Sequence, residues 1–451
     1  MSNALNRTRP KPPVRMVHLG LGNFYRAHQA WYTQHAADAA DWGYAAFEGF
    51  TTGLSAAMNT QDNVYTLAFT AADGDKYECI ESISEAYTAE ANDDWLRFCA
   101  DPAVVIVSTT VTEAGYLSDG NGGVNTANEA FAADVELLRA GARNAVKTAP
   151  AKLVAGLLQR RDAGVGAVTF MSCDNLLENG TIMKEVVLAT AALVDATLVA
   201  WIGANVNFVT TMVDRITPRA TDEDLARVEA GIGTKDAAPV ITEPFGEWVI
   251  DGEFPNGRPD WASAGATFTH DIDANERRKL WLLNGAHSML AYIGLMRGRT
   301  TVAEAMADDV CRETVGLWWD SAISVIGGDT DALRTYTGAL TERFDNPRIR
   351  HLLTQIGTDG SLKIPVRWVP ALSVLRSRGE LPVAVVRALA AWATYLQRGE
   401  ILDAKADALQ AARRDDVRET LRAGLAVVAP ALLADAELLA AIDAQLAAFG
   451  A

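Results

Sequence analysis

Lys279, Asn284 and His287 stand close together in the run Glu276-Arg277-Arg278-Lys279-Leu280-Trp281-Leu282-Leu283-Asn284-Gly285-Ala286-His287. An amine, an amide and an imidazole at this spacing are the parts of a proton-transfer site. On an α-helix at about 100° per residue the three fall within a sector of roughly 140°. Asn284 and His287 are i, i+3 neighbours. Leu280, Trp281, Leu282 and Leu283 surround them with apolar side chains. Such a setting disfavours the ammonium form of a lysine and lowers its pKa. A lysine that gives up its proton near neutral pH is a usable general base. The competing reading is an ordinary amphipathic helix with a snorkelling lysine and a hydrogen-bonded core histidine.

Two further polar groups follow strand-like runs. Asn175 closes Ser172-Cys173-Asp174-Asn175, and Asp214 follows Val213 in Val213-Asp214-Arg215-Ile216-Thr217-Pro218. The carboxyl ends of sheet strands are where α/β enzymes place ligand-binding groups. Asn175 could donate to a developing alkoxide, or simply form an Asx turn. Asp214 could orient a base or a substrate hydroxyl, or pair with Arg215 at the surface, where such a pair contributes little.

A third feature bears on a coenzyme. Val17-His18-Leu19-Gly20-Leu21-Gly22-Asn23-Phe24 puts two glycines at the end of the first predicted strand. A dinucleotide-binding turn needs glycine there to turn tightly and to let the backbone approach a pyrophosphate. Tyr25 stands where a third glycine often occurs, so a plain strand-to-helix turn competes. Glu48, 26 residues after Gly22, is the candidate carboxylate for ribose hydroxyls and favours NAD over NADP. An exposed strand-end carboxylate is the alternative. No basic cluster follows Glu48 in the sequence.

These groups need elements to hold them. Arg15–Leu19, Tyr44–Phe50, Ala103–Val111, Ala167–Cys173 and Val206–Val213 read as strands. Phe24–Ala40 and Ile182–Ala204 read as helices between them. The β-branched run at 103–111 suits a strand buried on both faces of a parallel sheet. Val64–Ala71 and Lys76–Ser84 flank a turn at Ala72-Asp73-Gly74-Asp75, a predicted hairpin. The expected fold is α/β, a doubly wound Rossmann-type domain over residues 1–270. Residues 271–451 read as a mostly helical substrate and catalytic domain, with helices over Arg277–Gly294, Val302–Val325, Asp331–Leu340, Val383–Gln397 and Ala404–Ala448.

Bulk properties narrow the function classes. The chain has 451 residues and a net charge of −17, which argues against nucleic acid or an anionic membrane as partner. No apolar run reaches the length of a membrane span. The N-terminal stretch is polar and basic, unlike a secretory signal. Four scattered cysteines, without C-x-x-C, suit a reducing cytoplasm. The six histidines and four cysteines form no metal-ligand spacing.

The chain resembles the polyol-specific long-chain dehydrogenase/reductase family, whose members include mannitol 2-dehydrogenase, D-arabinitol 4-dehydrogenase and fructuronate reductase. The resemblance runs from Gly20 to about Pro365. It is carried by GLGNFYRAHQAWY, TVTEAGY (Thr110–Tyr116), SCDNLLENG, MVDRITP, EPFGEWVIDGEF and K-x4-N-x2-H. It implies a metal-independent oxidoreductase that uses NAD to interconvert a sugar alcohol and a ketose, D-mannitol and D-fructose first. D-arabinitol oxidation and fructuronate reduction are the alternatives. It implies Lys279 as general base, Asn175 and Asn284 as an oxyanion hole, His287 as the group that positions substrate hydroxyls, and Asp214 as a substrate contact or a group that tunes the lysine. Glu276 corresponds to a proton-relay carboxylate and Lys363 to a substrate-binding lysine. Gly20, Gly22, Asn23, Phe24, Glu48, Thr110 and Glu113 are the implied coenzyme contacts. Gln355 stands where many relatives carry a substrate-binding arginine, which weakens the case for an anionic uronate. A monomer is expected, with a small polyol or ketose as its only partner. A nucleotide-sensing module without activity is the reading from another class. The presence of Lys279, Asn284, His287 and Asn175 argues against it.

Overall fold

The computed structural model describes residues 5–49 and 53–447. Its contacts divide the chain into two compact units, Met1–Ile272 and Asp273–Ala451.

The first unit is built on an eight-stranded sheet. Its strands are β1 (Val14–Leu19), β2 (Gly43–Phe47), β5 (Ile83–Tyr87), β6 (Ile106–Thr109), β7 (Val168–Ser172), β8 (Val206–Asp214), β10 (Glu247–Asp251) and β11 (Thr267–Thr269). Their order is β11-β10-β8-β7-β6-β1-β2-β5. From β5 to β8 every pairing is parallel, and β10 runs antiparallel to β8. The chain starts in the centre, winds outward one way through β2 and β5, then returns to β6 and winds the other way. The switch point of this doubly wound sheet lies between β1 and β6, where Leu19 pairs with Thr109. Ligands bind such sheets at the carboxyl ends of the strands, at that switch.

Alternate residues of each strand feed two cores. Val17, Leu19, Phe47, Val107 and Phe170 pack on one face beneath helices such as Ala149–Asp162. Met16, Tyr44, Ala46, Ile106 and Met171 pack on the other. The β-branched stretch at 106–109 is buried at every position, as expected for a central parallel strand.

Several local expectations are corrected. The helix expected over Phe24–Ala40 is two short ones, Asn23–Ala27 and Gln29–His35, broken at His28 (φ −116°, ψ −87°). No glycine or proline causes the break. The His28 ring donates through Nε2 to Glu247 O at 2.9 Å and stacks on Phe24. The helix over 182–204 is split at Asp195, whose carboxylate caps the second half by accepting from Thr197 N–H at 2.9 Å. The strand expected to reach Phe50 ends at Phe47; Phe50 itself is outside the described residues. The hairpin forms as β3 (Tyr65–Ala71) and β4 (Gly74–Ile80). It joins β9 (Val240–Thr242) in a separate three-stranded sheet. Lys76–Ser84 does not form one strand, because residues from Ile83 onward belong to β5 of the main sheet.

The second unit is helical. Its helices include Ile272–Arg278, Ala286–Met296, Val302–Met306, Asp309–Ile326, Thr330–Phe344, Gly360–Arg367 and Val383–Arg398. The first begins on the last residue of the first unit. Between the first two, Lys279–Gly285 is a π-helix, so the α-helix expected over 277–294 is interrupted. The run Thr301-Val302-Ala303-Glu304 forms a capping box, which starts its helix. The tail over 404–447 is three α-helices and a 3-10 segment. Asp416 and Asp435 cap two of them, and Pro430 opens the 3-10 segment. Ala448 is outside the described residues.

Candidate active site

The coenzyme side begins with β1. The strand must turn at once after Leu19, and Gly20 does so at φ +118°, a conformation L side chains avoid. A Cβ there would lie 2.5 Å from Thr110 O. The N–H groups of Gly20 and Leu21 both donate to Phe47 O, at 2.9 and 2.8 Å, which ties the turn to the end of β2. Thr110 ties it to β6, since its hydroxyl donates to Gly20 O at 2.8 Å. That hydroxyl must then accept from His18 Nε2–H at 2.9 Å, and His18 Nδ1 accepts from the Ser108 hydroxyl at 2.9 Å. His18 is fully buried, and burial depresses its pKa to about 3, so this ring is a neutral strut. Thr110 thus shapes the glycine turn through a hydroxyl already engaged on both sides.

A cavity of about 220 Å³ opens beside the turn, lined among others by Gly20, Gly22, Gly49, Thr110, Lys147 and Lys152. Two basic side chains thus line this cavity, although no basic cluster follows Glu48 in the sequence. They come from the start of the helix Ala149–Asp162, about a hundred residues after Glu48 in sequence. The Lys152 ammonium donates to Ala89 O, and burial lowers its pKa. Lys147 is exposed. The helix behind the glycine turn has only five residues, so an anion held here would meet local N–H groups and lysines more than a long helix dipole. Asn23 accepts from Arg26 at 2.8 Å, and Phe24 stacks on His28. Both shape the short helix. Glu48 follows β2 and is fully buried. Its Oε1 accepts from Ser55 N–H at 2.6 Å, while Oε2 has no hydrogen-bond partner. A buried carboxylate oxygen without a donor fits a ribose hydroxyl. Glu113 opens the 3-10 turn Glu113–Tyr116 that follows β6.

The neighbouring strands carry the predicted substrate groups of this unit. Asn175 follows β7, and Asp214 is the last residue of β8. Sequence reasoning passed over Asp174, yet its carboxylate organises the loop. Oδ2 accepts from Tyr116 at 2.5 Å, Ser172 at 2.9 Å and Thr109 at 3.1 Å. Burial pushes its pKa up to about 7, against the three hydrogen bonds. Asn179 pins the same loop to β8: it donates to Asp174 O and Thr211 O, both at 2.8 Å, and accepts from Thr211 N–H at 2.9 Å. The motif Ser-Cys-Asp-Asn with Asn179 is therefore the scaffold that presents Asn175. Arg215 does not form the surface pair weighed against Asp214. It is buried, donates to Phe245 O at 2.9 Å and lies 4.5 Å over the Trp31 ring.

The second unit brings Glu276, Lys279, Asn284 and His287 onto one continuous helical run. Glu276, Lys279 and His287 are buried and Asn284 is half-buried. The His287 ring stacks on Phe344 at 4.4 Å and meets the His351 ring edge-on at 5.0 Å. Burial, reinforced by His351, Arg343 and Arg367, holds His287 well below its ordinary pKa. It is a neutral imidazole whose Nε2 has no hydrogen-bond partner. Lys363 is differently engaged. Its ammonium donates to Thr358 O at 2.6 Å, Ile356 O at 3.1 Å and the Thr358 hydroxyl at 3.3 Å. Gln355 is exposed on the short helix Leu353–Ile356. Among the described residues no group of three or more His, Cys, Asp or Glu side chains is arranged to hold a metal, and no helix is long and apolar enough to cross a membrane.

Comparison with known proteins shows which family the chain belongs to. D-mannonate oxidoreductase of Escherichia coli K12 is 37% identical over 393 residues, covering 85% of this chain and 80% of the relative. D-arabinitol 4-dehydrogenase of Ralstonia nicotianae is 37% identical over 388 residues, covering 83% and 81%. The structure of Pseudomonas fluorescens mannitol 2-dehydrogenase, a ternary complex with NAD and D-mannitol, superposes with a TM-score of 0.82 at 32% identity, over 99% of this chain and 94% of that one. The mannitol dehydrogenase Rossmann domain matches residues 14–263 and the mannitol dehydrogenase C-terminal domain residues 271–448. With both domains matched in order, the chain belongs to the mannitol dehydrogenase family.

Proposed function

We propose that this protein is an NAD-dependent polyol dehydrogenase that oxidises a secondary alcohol of a sugar alcohol to a ketose, D-mannitol to D-fructose first. The observation that carries the reading is the likeness, over nearly the whole chain, to an enzyme captured with NAD and D-mannitol. The chain's own residues support it. Gly20 gives backbone access, Lys147 and Lys152 offer positive charge, and Glu48 keeps an unpartnered buried oxygen for a ribose. When bound, NAD supplies the hydride acceptor.

In the oxidative direction Lys279 removes the hydroxyl proton and passes it to Glu276, one helical turn earlier. The Asn175 and Asn284 amides donate to the reacting oxygen as negative charge grows on it. Such donors typically lower the barrier by about 3 to 4 kcal/mol each. His287, neutral and with Nε2 open, orients substrate hydroxyls, and Asp214 and Lys363 contact the substrate. The reading is metal-independent, with a buried amine as base. We also read the protein as a monomer, which light scattering would check.

One observation favours a second substrate. Arg343 and Arg367 lie close enough to His287 to depress its pKa, and their positive potential suits a sugar acid such as D-mannonate. The test is a panel of D-mannitol, D-arabinitol, D-sorbitol and D-mannonate, each with NAD and NADP, followed by NADH absorbance. Lys279→Ala should cut turnover by about 10²- to 10⁴-fold while NADH still binds. Near-normal turnover in that variant would remove Lys279 as base, and silence across the whole panel would remove the function.

A further inference from the structure

The helix that starts at Ile272 changes register at Lys279 and returns to α form at Ala286. In the π form, N–H of residue i+5 bonds the carbonyl of residue i. Residue i+5 then takes the place above residue i that i+4 holds in an α-helix, about 40° round the axis. Lys279 and Asn284 are five residues apart. On an unbroken α-helix their side chains would diverge by about 140°. On the π turn they share a face.

Single π turns are rare, and this one is held from outside. Trp318 Nε1–H donates to Trp281 O at 2.7 Å, and Trp319 Nε1–H to Leu282 O at 2.8 Å. Arg367 donates to Asn284 O at 3.1 Å and also to the Ser288 hydroxyl at 2.8 Å. Trp368 Nε1–H donates to Gly285 O at 3.0 Å. Four carbonyls of the π segment therefore accept side-chain donors, from the helix Asp309–Ile326 and the end of the helix Gly360–Arg367. An indole only donates. Trp318 and Trp368 are fully buried, so a return to α register would swing these carbonyls away and leave buried N–H groups unpaired. Gly285 fits the same scheme. Its φ of −61° demands no glycine, but a Cβ there would lie 2.9 Å from Trp318 Nε1.

We propose that Trp318, Trp319, Trp368 and Arg367 are positioning residues that hold residues 279–285 in the π register and so set Lys279 and Asn284 side by side. The inference rests on the roles given to Lys279 and Asn284 above.

Gly285→Ala tests it in the full-length protein. At an ordinary helix position alanine for glycine raises stability; here the added methyl displaces Trp318. Hydrogen exchange of the peptide 279–289 should quicken, and kcat should fall about tenfold to hundredfold, as for a misplaced catalytic group. The KM for NAD should hold within about twofold. Arg367→Met should act in the same direction, and Arg367→Lys, which keeps a donor, should restore most of the turnover. Unchanged exchange and turnover in both Gly285→Ala and Arg367→Met would overturn the proposal, as would equal loss in Arg367→Lys and Arg367→Met. Exchange is read without activity. A failure of the base assignment, seen with Lys279→Ala, is therefore distinguishable from a failure of the bracket.

Discussion

Replacing Asp174 with Asn should flatten the pH dependence of stability in the first unit. The carboxyl titrates at about 7 in the fold against an ordinary 3.8, because burial disfavours its ionised form more than Tyr116, Ser172 and Thr109 favour it. Between those values the folded chain holds a proton that the unfolded chain has released. Stability from this group is full below pH 3.8 and is lost as pH rises through 7. At 1.36 kcal/mol per pH unit, with the loss levelling off above 7, the change from pH 5 to pH 8 is about 2.5 kcal/mol. An amide at this position has nothing to ionise, and the three hydroxyls can rotate to serve it. The variant should match the parent near pH 5 and exceed it by about 2.5 kcal/mol at pH 8. Buried His18 acts in the opposite sense, losing stability as pH falls from 6.5 towards 3, but both proteins share it and it cancels in the difference. Hydrogen exchange of peptides covering β6, β7 and the loop to Asn179, corrected for intrinsic rates, reads the opening free energy of this unit directly. Parallel curves for the two proteins from pH 5 to 8 would refute the argument.

Two other substitutions probe the coenzyme side. Glu48→Ala should weaken NAD by about tenfold more than NADP, since it removes the carboxylate expected to bind the 2′-hydroxyl; an unchanged ratio in fluorescence titration would move that role elsewhere. Gly20→Ala forces a side chain into φ +118° against Thr110, at about 2 to 4 kcal/mol. It should lower the melting temperature and abolish NADH binding, and a parent-like melt with retained binding would contradict the geometry.

The parallel sheet was readable because its central strands are short runs rich in β-branched residues, as at Ile106–Thr109. The strands β9 and β11 have three residues each, too few for alternation to register. The hairpin was visible but its sheet was not, because β9 arrives from 170 residues later. Distant partners also decided the break at His28, where a carbonyl on β10 outweighs local helix propensity. The site shows the same division. Gly20, Glu48, Asn175 and Asp214 stand out as candidates by residue type at strand ends, and Lys279, Asn284 and His287 by their spacing along one helical run. The π turn does not, since Lys-Leu-Trp-Leu-Leu-Asn-Gly reads locally as α-helix and its register is held by tryptophans 37 and 83 residues away. Asp174 stood inside a recognised motif, but its importance depends on Tyr116 from another loop. Lys147 and Lys152 reach the glycine turn only through the winding of the sheet.

A π turn is equivalent to an α-helix with one surplus residue wedged into it. The Ile272–Ala286 stretch is thus one amino acid longer than an α-helix of the same number of turns. Deleting a single residue between Leu280 and Leu283 would let hydrogen bonding close up without a gap. Asn284 would then stand four residues after Lys279 on an α-helix, about 40° round the axis, which is the place it already holds on the π turn. A gap of one position here, when two sequences of this kind are aligned, therefore removes the π turn and keeps the face that Lys279 and Asn284 share.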